Sequence, residues 1–215
     1  MLNMATDIKV ISLNVKGLRQ YKKRRKIFNW CHKHGGDKCI YFLQETHGSK
    51  DIEKSWSNQW RGDIYFAHGT TQSKGVLTMA SEKLQYTLNS EILDPMGRFV
   101  IIDINVGESN FLLINTYAPN TEVEQVEFFN TITKAIEKYS EENKIIIWGG
   151  DFNFCFDIMD VSDCSAHFKK RSITLVKNIM ESYDLCDIWR VRNPQIKVHT
   201  WRTANISIQR RIDFS

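Results

Sequence analysis

Between residues 62 and 116 the chain reads as five short β-type runs in succession, 62–68, 75–80, 84–93, 98–106 and 109–116, several of them joined by turns containing Gly or Asn. Strands laid down one after another pair into sheet, and a sheet has two faces to cover. On either side of this block, strands alternate with amphipathic helices. Residues 7–14 (DIKVISLN) alternate in polarity, 19–34 carry a basic helical pattern closed by Gly35-Gly36, and 38–45 (KCIYFLQE) form a buried strand ending in a carboxylate. A short helix is expected at 51–60. Downstream, Thr121-Glu122-Val123-Glu124 is a capping box that opens a helix to about 143. A fully apolar strand at 144–148 (KIIIW) stops at Gly149-Gly150, a helix covers 170–183, and a hairpin pairs 199–202 with 208–214 around a turn at 203–207. The class that accommodates this order is α/β, as a four-layer α/β-sandwich: two packed mixed β-sheets flanked by helices. With no linker, repeat or low-complexity tract, residues 1–215 read as one domain.

Composition removes several function classes. No apolar run approaches the roughly 20 residues of a membrane span, and the N-terminus lacks the basic and apolar regions of a secretory signal. The five cysteines (Cys31, Cys39, Cys155, Cys164, Cys186) are odd in number and suit free thiols in a reducing compartment, so an intracellular protein, nuclear or cytoplasmic, is expected. A zinc site at Cys31, His32, His34 and Cys39 matches no standard finger spacing, and buried or helix-end thiols are the better reading. Six basic residues fall within eight positions (Arg19, Lys22 to Lys26). They fit a nuclear-localisation signal, but Ile27, Trp30 and Cys31 at helical spacing favour a solvated helix face.

Polar residues recur at strand ends: Asn14, Glu45, Tyr117 within NTYAPN, Asp151 and Asn153 within GGDFN, and Asp213. Singly, each has an ordinary explanation as a turn, cap or solvated residue, and Trp201 as core packing. Packed sheets would bring such ends to one rim, and the chemistry that needs the set is phosphoryl transfer. A hard cation takes one or two carboxylates plus water and phosphate oxygens, amides hold non-bridging oxygens, and a carboxyl or phenol stabilises the leaving oxygen.

The ordered blocks SLN, LQETH, NTYAPN, GGDFN, HTW and RIDF resemble the endonuclease/exonuclease/phosphatase superfamily from residue 7 onward. QETH, YAPN followed at once by a capped helix, and the short hairpin before RIDF are most similar to the apurinic-type endonuclease domain of non-LTR retrotransposons. The resemblance implies Mg²⁺, with Mn²⁺ as a substitute, held by Glu45 with Asn14 helping to place metal and phosphate. It also implies Tyr117 at the scissile phosphate, Asp151 beside the leaving oxygen or attacking water, Asn153 as the phosphate-holding amide, and Thr200 or Trp201 in contact with substrate. Asp213 takes the place of the carboxylate that orients a histidine. Double-stranded DNA is the implied partner, with a reverse transcriptase expected downstream. Lys169, Lys170 and Arg171 are candidate phosphate contacts, and Asn205 on the 203–207 tip is a candidate for sensing the minor groove.

One departure stands out. The superfamily closes on a Ser/Thr-Asp-His block after a further strand, and none of the six histidines lies in that context. The resemblance therefore implies a domain incomplete at its C-terminus, lacking the closing strand and weakly active or inactive by itself. Rival readings are an apurinic endonuclease, RNA deadenylase or lipid phosphatase of the same superfamily, and a catalytically dead module that binds DNA.

Overall fold

The computed structural model of the chain describes residues 8–140, 143–162, 168–202 and 209–214. The expected tip residues 203–207 with Asn205, and Cys164, lie outside them. The chain divides into two compact units, Met1–Tyr117 with Asn143–Gly150, and Ala118–Glu142 with Asp151–Ser215.

In the first unit, strands β1 (Lys9–Asn14), β2 (Cys39–Gln44), β3 (Ile64–Ala67) and β4 (Val76–Ala80) form a sheet in the order β1-β2-β4-β3. The β1–β2 pair is parallel and the others antiparallel, so the sheet is mixed. A second sheet places β8 (Ile145–Asp151), β7 (Ser109–Tyr117), β6 (Phe99–Val106) and β5 (Thr87–Leu93) side by side. The strand period decides what lies between the sheets. On β2, Ile40 and Phe42 face inward to meet Val100, Ile102 and Ile104 of β6 and Phe111 and Leu113 of β7. The alternate residues Cys39, Tyr41 and Leu43 face outward, against Phe28 and Cys31 of helix α1 (Tyr21–Gly35) and Trp56 of α2 (Glu53–Ser57). β2 therefore reads as a continuous apolar run because both of its faces are covered. The helix α1 stops where the paired glycines predict, on Gly36 at φ 83.

Cys31 and Cys39 sit in that outer core, as expected of structural thiols, while His32 stacks on Trp60 with ring centroids 4.2 Å apart. Burial, then the neighbouring Cys39, pushes the Cys31 thiol up to about 12; burial, then Asp160, pushes Cys155 up to about 11. Cys186 is exposed. Alkylation of the native chain at pH 8 is expected to modify Cys186 first and Cys31 at least about a hundredfold more slowly, because the thiolate fraction falls tenfold per pH unit. Equal rates at the two sites in a mass-spectrometric time course would show the outer core to be open.

The second unit is built on helices α3 (Glu122–Glu137), α4 (Lys170–Ser182) and the short α5 (Ile188–Arg192). Thr121 caps α3 as predicted, its hydroxyl accepting from the Glu124 amide. The helix ends six residues short of the predicted 143, because Tyr139 and Ser140 bond three residues back and tighten the last turn. The expected hairpin forms, with β9 (Trp201–Arg202) antiparallel to β10 (Gln209–Arg210), but its second arm breaks before β11 (Asp213–Phe214). Phe129, Phe152, Phe154, Phe156 and Phe214 build an aromatic cluster, with Phe156 and Phe214 centroids 4.6 Å apart. Beside it lies a buried ionic knot. Asp160 accepts from Arg190 Nη2 and Arg211 Nε through one oxygen, each at 2.8 Å, and from the Phe156 and Asp157 amides through the other. Arg211 also pairs with Asp187, the N-cap of α5. Burial lowers the Arg211 pKa, but its bonds to Asp187 and Asp160 outweigh burial and leave it raised. No described helix is long and apolar enough to cross a membrane.

Candidate active site

Asn14 and Gln44 end parallel neighbours in register, so the next residue, Glu45, emerges beside Asn14. Asn14 Nδ2 donates to Glu45 Oε1 at 2.7 Å, while Asn14 Oδ1 accepts from the Lys16 amide at 3.1 Å. The chain then leaves β2 through an unusual turn, with Glu45 at φ 53 and His47 at φ 56. Glutamate does not visit left-handed backbone readily, so the turn exists because its surroundings hold it. Gly17 and Leu18 donate to the carbonyls of Glu45 and Thr46 on one side; Thr46 and His47 donate to those of Gly75 and Lys74 on the other. The Glu45 side chain remains 24% exposed, with His47 Nε2 3.8 Å from Oε2.

Tyr117 ends β7 in the second sheet of the same unit. Its ring lies beneath the Arg98 guanidinium, 5.0 Å from the centroid, and its amide donates to the Arg98 carbonyl at 2.7 Å. Between the sheets the first unit carries two residues the sequence reading did not single out. Gln44 Nε2 donates to Asn115 Oδ1 at 2.8 Å, and both residues are 0% exposed. The strand period held the signal: Gln44 continues the inward face of Ile40 and Phe42, and Asn115 that of Phe111 and Leu113.

The second unit holds the other candidates. Gly150, at the end of the first unit, has φ 134, and a Cβ there would stand 2.1 Å from the Thr116 carbonyl oxygen; only glycine fits just before Asp151. Asp151 is buried. Its backbone carbonyl accepts from the Ala118 amide at 2.8 Å and its Oδ1 from the Asn153 amide at 3.0 Å. Asn153, like Glu45, is left-handed just after a strand (φ 53), and its Nδ2 donates to Ala118 O at 2.8 Å. The buried Gln125 side chain ties the two loops together through Pro119 O, Phe152 O and Asn153 O.

Lys169 proves to be part of this scaffold. Its Nζ donates to Asn120 O at 2.5 Å and Asn153 O at 2.6 Å, and burial, then Arg210, lowers its pKa. Lys170 and Arg171 are exposed at the start of α4. Thr200 Oγ1 accepts from the amides of Ile212 at 3.1 Å and Asp213 at 3.3 Å, and Trp201 packs against Cys155, Val161 and Ile212. Thus Asn14 and Glu45 are in direct contact in one unit, Asp151 and Asn153 in the other, and Thr200 holds the backbone of Asp213.

Among the described residues no group of three or more His, Cys, Asp and Glu gathers as an ion cage. A magnesium ion does not require one: it keeps several waters and takes one or two carboxylates plus substrate oxygens. A single part-exposed carboxylate, oriented by an amide and set on a rigid turn, fits that demand.

No family model matches the chain. It is 29% identical over 209 residues to the transposon TX1 uncharacterized 149 kDa protein of Xenopus laevis, covering 96% of this chain and 16% of that protein. It is 22% identical to a DNA-(apurinic or apyrimidinic site) endonuclease of Plasmodium berghei, covering 71% of this chain and 36% of that enzyme. It therefore spans well under half the length of these relatives. Among solved structures, the 3′ phosphatase NExo from Neisseria bound to product DNA hairpin superposes with a TM-score of 0.76 at 17% identity, over 97% of this chain and 85% of that one. The Xenopus laevis APE2 catalytic domain does so with a TM-score of 0.74 at 18% identity, over 96% and 81%. These likenesses establish the α/β-sandwich expected from the sequence. In fold the chain is similar to these nuclease structures, and its similarity to a transposon protein and to an apurinic endonuclease agrees with the resemblance read from its motifs.

Proposed function

We propose that this chain is the DNA-nicking domain of a retrotransposon protein, hydrolysing a phosphodiester with Mg²⁺, or Mn²⁺ in its place, to leave a 3′-hydroxyl. The observation that carries the reading is the Asn14–Glu45 pair: a reachable carboxylate on a left-handed turn bonded from both sides. Glu45 and Asn14 would hold the ion, which supplies charge neutralisation at the phosphate and activation of water when bound. The chain's own groups do the rest. Asn14 fixes the carboxylate through Oε1. Tyr117, steadied by Arg98, stands for the scissile phosphate. Asp151 takes a proton from the attacking water or stabilises the leaving oxygen, and the second amide hydrogen of Asn153 is available to a phosphate oxygen. Asp213 is held by Thr200 in the place of an orienting carboxylate. The 16% share of the transposon protein supports a larger parent, in which a reverse transcriptase would use the 3′-hydroxyl. The test is nicking of supercoiled plasmid by this chain with Mg²⁺ against EDTA; equal nicking in both refutes the metal-assisted reading. The likeness to an apurinic endonuclease favours one alternative, cleavage at abasic sites. A strong preference for abasic over intact duplex would select it.

Lys170 and Arg171 are proposed as phosphate contacts of the duplex. Changing both to glutamine is expected to lower the salt slope of duplex binding by about 1 to 2, since each phosphate contact contributes about 0.9. The same change at Lys22 and Arg25 of α1 should have a smaller effect, and the reverse ranking would move the DNA surface to α1.

A further inference from the structure

We infer that Gln44 and Asn115 are positioning residues for the cleavage proposed above, a buried pair of amides that fixes where the Glu45 carboxylate and the Tyr117 ring stand. The inference rests on that functional reading. Folding alone would favour apolar residues here. Each amide ends an inward-facing apolar series, in a layer where a buried polar group is costly unless bonded and where leucine or methionine fills similar volume.

Their orientation is dictated rather than chosen. The Leu77 carbonyl can only accept, so Asn115 turns its Nδ2 toward it at 3.0 Å, with Thr78 Oγ1 at 3.3 Å. Asn115 Oδ1 then faces Gln44, which must present its Nε2 and gives its other hydrogen to Ser12 Oγ at 3.1 Å. The ends of β1, β2, β4 and β7 are thereby locked to one another. Two residues beyond Ser12 is Asn14, directly after Gln44 is Glu45, and two residues beyond Asn115 is Tyr117. The lock is not optimised for stability: Gln44 Oε1 is buried with no hydrogen-bond partner among the described residues. A pair retained for stability alone would be fully satisfied or apolar.

The two roles separate in one set of variants of the full chain: Gln44→Met, Asn115→Leu and the two combined. Each single change takes one buried bond from the partner amide and should lower the urea midpoint, whereas the double change removes both amides and should restore it toward the starting value. The double variant is expected to nick plasmid with kcat lowered at least about tenfold, equivalent to ~1.4 kcal/mol of transition-state stabilisation, and with KM for DNA within about twofold. The side-chain amide resonances of Asn14, identified by their loss in Asn14→Leu, should shift as its bond to Glu45 loosens. A stable double variant with unchanged kcat and unchanged Asn14 resonances overturns the inference. Absence of nicking by the unsubstituted chain overturns the functional reading instead, and the resonances still report whether the amide pair sets the geometry of Asn14 and Glu45. Should the double variant not fold, Ser12→Ala carries the same two readouts. It removes one of the bonds that fix Gln44 Nε2, with a loss of about threefold expected in kcat, and no change in either readout rejects the inference.

Discussion

Glu45→Gln is expected to lower plasmid nicking at least about a hundredfold at limiting Mg²⁺, because on the proposed reading it removes the anionic ligand and with it several kcal/mol of charge stabilisation, each ~1.4 kcal/mol being a factor of ten. The substitution isolates charge from shape. A glutamine carbonyl can still accept from Asn14 Nδ2, and the backbone bonds from Gly17 and Leu18 that hold the turn do not involve the side chain. The melting transition should therefore barely move while Mn²⁺ titration by calorimetry shows weakened binding. Near-normal nicking by this variant at limiting Mg²⁺ would remove Glu45 from the role.

Asp160→Ala is expected to cost about 3–5 kcal/mol of stability, the range for breaking a buried ion pair by removing one partner. Its carboxylate is 0% exposed and serves four donors: two guanidiniums, Arg190 and Arg211, and the amides of Phe156 and Asp157. Removing it strands Arg211, itself buried, with Asp187 as its remaining carboxylate. Urea unfolding measures the loss. Arg190→Gln, which leaves Arg211 to balance Asp160, should cost clearly less. A change below about 1 kcal/mol for Asp160→Ala would mean that water replaces the carboxylate and that the knot is not the anchor of the second unit.

What could be read from the sequence and what could not divide along the range of the interactions. Short apolar runs and a capping box place β2, β4, β6, β7 and the start of α3, because those signals lie within a few residues of one another. The ionic knot joins partners 24 to 51 positions apart, and a list of charges offers no means of matching them. Lys169 reads as a surface cation because lysine usually is one; its half-buried place follows from two carbonyls that only the folded loops bring together. The two units also leave no mark, since two of their three boundaries fall inside NTYAPN and GGDFN rather than in a linker. Of the two left-handed site residues, Asn153 is of a type that tolerates such backbone and Glu45 is not, so only the first could be suspected from its identity.

That last contrast bears on any effort to evolve this protein. Position 45 has a backbone that suits glycine, and relieving it is worth about 1 kcal/mol. A library screened only for heat resistance should therefore enrich Glu45→Gly, and its winners would lack the carboxylate proposed to hold the cation. On the proposed function, thermal robustness and chemistry pull in opposite directions at this codon, so a selection that reads both is the one in which glutamate is expected to persist.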